Sequence, residues 1–220
     1  MPGDHDIEYT SPWAGANWWP VSAPGTRETD WDRITFQEVW RLADSEPAAG
    51  IHVQDSRIYK RDKDVGGAIT EWMNALFSEE PWFKDLAPGF RKLEKRELPD
   101  GVDTGTTFKS VCINVAIYLP WLASQCLARG VVIERATLSH INEAEGLHHT
   151  GRKTDVVVNC TGLMARNLGG VMDESVIPVL GQIAVVSNTA PAMLVVSGTE
   201  DGEDESTYIM TRPAGRRPVL

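Results

Sequence analysis

At 220 residues the chain is long enough to bury a sizeable core, as one large domain or two small ones. Acidic residues outnumber basic ones by 31 to 21, and the basic clusters Lys92-Leu-Glu-Lys-Arg96 and Arg216-Arg217 are short, which argues against a nucleic-acid partner. The longest apolar run, Val111 to Ala123, is broken by Asn114 and Pro120 and falls short of the ~18 residues of a membrane span, so no membrane partner is expected. Cys112, Cys126 and Cys160 are far apart and odd in number, which argues against a disulfide scaffold and favours a reducing compartment. The polar start, Met1-Pro-Gly-Asp-His-Asp6, does not read as a signal peptide. His148-His149 has neither nearby cysteine nor spaced acidic ligands, so no metal site is expected there.

Ser11-Pro-Trp-Ala-Gly-Ala-Asn-Trp-Trp-Pro20 is crowded with small residues and indoles. Ala14-Gly15-Ala16 lets a backbone approach something flat, Asn17 offers a donor and an acceptor, and Trp13, Trp18 and Trp19 supply apolar walls. A buried turn against a core explains the composition equally well. Thr29 to Ala43 predicts a helix, with Trp31, Ile34, Thr35, Val39, Trp40 and Leu42 near helical spacing and Thr29 or Asp30 as its cap. Ile51 to Tyr59 alternates as a strand, Asp62 to Gly67 is a charged turn, and Thr70 to Phe77 is a short helix. From Trp82 to Gly105, Pro, Gly and mixed charge predict loops joining short strands.

Phe108 to Cys112 is expected to enter a helix that runs to Arg129, is interrupted at Pro120 and stops at Gly130. Val131 to Arg135 and Thr137 to Asn142 read as strands. Asp155-Val-Val-Val-Asn-Cys-Thr-Gly162 reads as a short buried strand ending in a glycine turn, the kind of edge at which cofactors dock in parallel sheets. Leu180 to Ser187, Met193 to Ser197 and Thr207 to Thr211 predict further strands, the last two flanking an acidic hairpin loop over 198–206. Helix, glycine, strand and acidic loop in succession indicate an α/β layered fold.

The tryptophan-rich segment and the Asp155–Gly162 strand, with Arg166-Asn-Leu-Gly-Gly170, Pro178-Val-Leu-Gly-Gln-Ile183 and Thr207-Tyr-Ile-Met-Thr-Arg-Pro213, together resemble the D-amino-acid oxidase family of flavoproteins, most closely its fungal members. The resemblance runs from about Pro2 to about Pro213. It implies an α/β fold: an incomplete FAD-binding Rossmann-like domain (1–20 and 104–187) and a smaller substrate domain with a mixed or antiparallel sheet (21–103 and 188–220). It also implies FAD as cofactor and a D-amino acid and O2 as substrates. The reaction would be oxidative deamination by hydride transfer to FAD, followed by reoxidation that gives imino acid and H2O2. Such a reaction needs no Ser/His/Asp arrangement, and none stands out.

By the same resemblance, Ser11, Ala14, Gly15, Ala16, Asn17 and Trp18 line the flavin, Leu138 meets the adenine half through its backbone, and Thr161 and Gly162 lie along the phosphates. Tyr208 would bind the substrate carboxylate through its hydroxyl. Trp13 and Trp19 read as packing residues. Leu180 stands where the family usually has Arg. The family's opening Gly-x-Gly-x-x-Gly turn and its carboxylate-binding Arg have no counterpart here, and Arg216 and Arg217 do not supply the latter. The expectation is therefore a chain truncated at both ends that binds flavin weakly or not at all and has negligible turnover. Neutral D-amino acids are preferred as substrates over D-aspartate, with D-aspartate oxidase as the alternative within the family. A non-catalytic fragment is the alternative from another class, and an unrelated α/β binding module is the remote one. The family also suggests a peroxisomal or cytoplasmic location, although Pro218-Val-Leu220 is no peroxisomal address. It leaves a homo-oligomer open.

Overall fold

The computed structural model describes residues 9–187, 189–200, 202 and 205–212. Along the chain run α1 (Arg27–Ser45), β1 (Ile51–Lys60), α2 (Ala68–Trp72), α3 (Asn74–Phe77), β2 (Arg91–Lys92) and β3 (Thr104–Ile113). After them come α4 (Val115–Ala128), β4 (Met193–Val196) and β5 (Tyr208–Ile209). The α/β class expected from sequence holds, with one mixed five-stranded sheet in the order β2-β3-β1-β4-β5. Gly15–Tyr118 and the chain from Val186 onward form one unit, which carries the sheet; Leu119–Val185 and the chain up to Ala14 form the other. Among the described residues, no helix is long and apolar enough to cross a membrane.

The sheet is organised by β1 and β3, antiparallel in unbroken register from Ile51 opposite Ile113 to Lys60 opposite Thr104. β4 joins β1 in parallel, Ser56 opposite Met193, and β5 closes antiparallel on β4, Val195 opposite Tyr208. Ile58, Phe108, Val111, Met193 and Val195 are fully buried along these strands, as are Leu76 and Phe83 beside them. α1 packs on β1 and β3 through Phe36, Val39 and Leu42. Trp18 fastens it, with its ring 4.3 Å from that of Phe36 and its indole N–H donating to the Asp32 carbonyl at 3.1 Å.

Several local expectations need correction. β3 was expected to open a helix; instead Phe108–Cys112 lies in the middle of the sheet, and the helix begins at Val115. The apolar run across the junction hides the change from period two to helical spacing. α1 starts two residues earlier than expected, after Thr26 rather than at Thr29 or Asp30. Its Trp31 and Ile34 face solvent, Trp31 beneath the Arg27 guanidinium at 5.2 Å. Thr70–Phe77 is two short helices, not one.

α4, most of which lies in the other unit, contains Pro120 and stops as expected at Gly130, whose φ of 83° suits glycine; the Val131 N–H returns to the Cys126 carbonyl at 3.1 Å. The segments 131–135, 155–158 and 180–187 form no strand. Val156, Val158 and Leu180 are 73%, 76% and 93% exposed. A β-branched run becomes a strand only when a neighbour accepts its backbone hydrogen bonds, and these segments find none among the described residues. Thr137–Asn142 keeps a single bridge, His140 to Gly169, before a 3-10 turn at Ile141–Gly146. A Cβ on Gly169 or Gly170 would come within 2.9 Å of the His140 ring, so the Gly169-Gly170 pair is needed for this approach.

A buried ion pair ties the end of β1 to the end of β4. The Arg61 guanidinium donates twice to Asp64 at 2.7 Å, the Ser197 hydroxyl also donates to Asp64, and the Arg61 N–H donates to Ser197 at 2.9 Å. Both charged side chains are nearly nine-tenths buried. The Arg61 hydrogen bonds hold the Asp64 carboxyl below its usual range against the opposing effect of burial. A lowered folded-state pKa gives stabilisation that is complete above the unfolded value near 4 and is lost as pH falls through the lower folded value. Asp64→Asn is expected to cost about 1–3 kcal/mol in urea unfolding at pH 7. The deficit should hold from pH 8 to 5 and shrink below pH 4; one unchanged at pH 3 would contradict this account.

Candidate functional site

The tryptophan-rich segment is not a free loop. Gly15–Trp18 lies along the outer edge of β3: the Ala16 N–H donates to the Ile113 carbonyl, the Ile113 N–H returns to Ala16 at 2.8 Å, and the Trp18 N–H donates to Val111 at 3.1 Å. Asn17 therefore stands opposite Cys112, and Cys112 opposite His52 on β1. Opposed residues of antiparallel strands share a face, so Asn17, Cys112 and His52 form one row across three strands, with Gln54 two residues further along.

This row is polar, half-buried around a fully buried Cys112, and incompletely satisfied. Asn17 Nδ2, His52 Nδ1 and Gln54 Oε1 are out of contact with solvent and have no hydrogen-bond partner among the described residues. Gln54 uses its other end, donating to the Ala190 carbonyl at 3.3 Å. Burial pushes the Cys112 thiol up to about 11, so it is neutral in the physiological range. Burial also lowers the His52 pKa, more than the Cys112 backbone raises it, which favours the neutral imidazole.

Tyr208 arrives from β5. Its ring meets that of Trp19 edge-on at 5.7 Å, and the Trp19 indole N–H donates to the Ser56 hydroxyl at 2.9 Å. Gly15 lies beneath the same strand: a Cβ there would sit 2.9 Å from Met210 Cε and 3.8 Å from the Tyr208 ring. The Arg212 Nε–H donates to the Gly15 carbonyl at 2.9 Å. The structure thus brings together Gly15, Ala16, Asn17, Trp18 and Tyr208.

Within that group Trp18 turns its side chain away from the loop's surface. Its side chain is 5% exposed and belongs to the α1 core, and its carbonyl accepts from the Ser110 hydroxyl. Trp19 packs as expected, whereas Trp13 is exposed. Ser11, Ala14, Leu138, Thr161 and Gly162 belong to the other unit. Ser11 and Ala14 are exposed, and Leu138 is half-buried in an irregular segment. Asn159 Oδ1 accepts both the backbone N–H and the hydroxyl of Thr161. Gly162 has φ 60° with open space where a side chain would go.

His52, Gln54 and Arg212 were missed as site residues. Ile51-His-Val-Gln alternates apolar and polar residues, which placed His52 and Gln54 on one face, and Arg212 stood unassigned inside a recognised motif. A histidine with a lowered folded-state pKa contributes stability above its unfolded value near 6.5, lost as pH falls through the folded value. His52 is expected to titrate below 6.5 by NMR, and His52→Gln should flatten the loss of stability between pH 7 and 5. A His52 titration at or above the ordinary value would overturn this.

Residues 4–219 match the family described as FAD dependent oxidoreductase (DAO). A D-amino-acid oxidase of Fusarium vanettenii is 47% identical across 100% of this chain, which covers 61% of that protein. A D-amino-acid oxidase of Schizosaccharomyces pombe is 34% identical over 96% of the chain and 56% of its own length. A D-aspartate oxidase of Talaromyces thermophilus is 32% identical over 82% of the chain and 46% of its own length. The chain therefore spans about half to three-fifths of these relatives. A match along nearly its whole length places this chain in the FAD-dependent oxidoreductase (DAO) family.

Proposed function

We propose that this chain supplies the ring-facing and substrate-facing part of a D-amino-acid oxidase, acting on neutral D-amino acids in preference to D-aspartate. The observation that carries the reading is the buried, unpartnered Asn17 Nδ2, two residues from Gly15, whose Cβ position lies 3.8 Å from the Tyr208 ring. An unpaired buried donor costs about 1–3 kcal/mol, and the polar edge of a flavin ring would satisfy it. Asn17 and the neighbouring backbone fit that edge. When bound, FAD would take the electron pair released as the amino acid becomes an imino acid, and O2 would then be reduced to H2O2.

The chain's own part is positional. The Tyr208 hydroxyl donates to the substrate carboxylate, and a neutral donor orients that group without adding charge. Trp19, held by Ser56, keeps the Tyr208 ring on edge and shields one side of the site from water. His52 and Cys112, the neighbours of Asn17 in its row, are both neutral and offer no cation to a second carboxylate, and the nearby Arg212 guanidinium is engaged with the Gly15 carbonyl.

The test is titration of the 220-residue chain with FAD, followed by anaerobic addition of D-alanine, D-aspartate or L-alanine. Weak but saturable quenching of flavin fluorescence is expected, with Asn17→Leu raising the half-saturation concentration at least about fivefold. D-alanine should bleach the flavin absorption, slowly, and L-alanine should leave it unchanged. Quenching without saturation by a folded chain would sink the flavin reading, and equal responses to both enantiomers would sink the D-amino-acid reading.

A further inference from the structure

Tyr208, Met210 and Arg212 alternate along one extended segment, and all three side chains reach the same residue of the tryptophan-rich loop, Gly15. The Tyr208 ring and the Met210 thioether flank the place where a Cβ would be, at 3.8 Å and 3.2 Å, and Arg212 donates its Nε–H to the Gly15 carbonyl at 2.9 Å. Only one residue further on, Ala16 begins the pairing with β3. Thr211, pointing the other way, accepts from the Ala190 N–H at 2.9 Å and donates to the Ala190 carbonyl at 3.0 Å, so the segment is pinned from its other side as well.

From this geometry we infer that Arg212 is a positioning residue: it locks Gly15, and with it the loop to Trp18, in register with the strand that carries Tyr208. The charge-assisted bond fixes one carbonyl of the loop, and the glycine allows the close approach that the bond requires. Asn17 and Tyr208 are then presented as one rigid piece, although they come from opposite margins of the sheet, 191 positions apart in sequence by subtraction of their numbers. The lock itself rests on the contacts above; its purpose, the joint presentation of flavin and substrate, rests on the flavin reading.

The experiment compares the 220-residue chain with Arg212→Met and Arg212→Lys by amide hydrogen exchange and by FAD titration. Arg212→Met is expected to speed exchange at Ala16 and Trp18 about tenfold or more, with the β1 amides as an unchanged reference. FAD half-saturation should rise in the same variant. Arg212→Lys should recover part of both effects, since an ammonium can reach the carbonyl but lacks the planar fork. Unchanged exchange at Ala16 and Trp18 in a folded Arg212→Met chain would overturn the lock. Faster exchange in chains none of which binds FAD would leave the lock standing and remove the flavin reading. Should the methionine variant fail to fold, the unmodified chain decides: the Arg212 Nε–H is expected to exchange more slowly than that of free arginine, and an equal rate would overturn the assignment.

Discussion

The ten-residue antiparallel ladder between β1 and β3 is the constraint from which the rest of the sheet-bearing unit follows. Its register decides which side chains share a face, and the residues of both flanks are placed by reference to it. On one side, Gly15–Trp18 pairs with the last residues of β3; on the other, β4 and then β5 add to β1. Slipping this ladder by one residue would put Cys112 and His52 on opposite faces and part Asn17 from His52. The polar row and the Tyr208–Trp19 pair are two consequences of one pairing.

What could be read from the sequence divides along a physical line. Elements that carry their own signal were legible: the alternation of Ile51–Tyr59, the amphipathic run of α1, the Gly130 stop and the hairpin of β4 and β5. Elements that depend on a partner were not. β3 alternates through Thr106, Phe108, Ser110 and Cys112, a period-two pattern that was overshadowed by the apolar helix immediately after it. Val156 to Val158 has the composition of a strand but no neighbour to complete it among the described residues. The inward face of α1 also eluded the pattern, because Trp31 and Ile34 are as apolar as Phe36 and Val39 but turn to solvent.

The candidate site was legible in part for the same reason. Gly15, Asn17 and Tyr208 sit in local motifs that stand out one segment at a time. The contributions of His52, Gln54 and Arg212 exist only after folding, since each acquires its meaning from a residue far away in the chain. His52 is defined by Cys112 across the ladder, and Arg212 by the Gly15 carbonyl. Burial then sets their chemistry: it keeps Cys112 and His52 neutral and makes an unpaired amide costly enough to favour a ligand.

The exposed valines of the Leu119–Val185 unit bear on how the chain behaves at high concentration. Val156, Val158, Val179 and Val185 are 73%, 76%, 88% and 89% exposed in segments with no ladder. Extended, β-branched stretches with unused backbone donors and acceptors are templates for pairing with another copy of themselves. The net charge of −10 opposes such encounters over long range, but none of it lies within Val156–Val158 or Val179–Leu180. These few residues are where such pairing between copies would begin, and a lysine at the centre of either segment is expected to oppose it where the net charge does not.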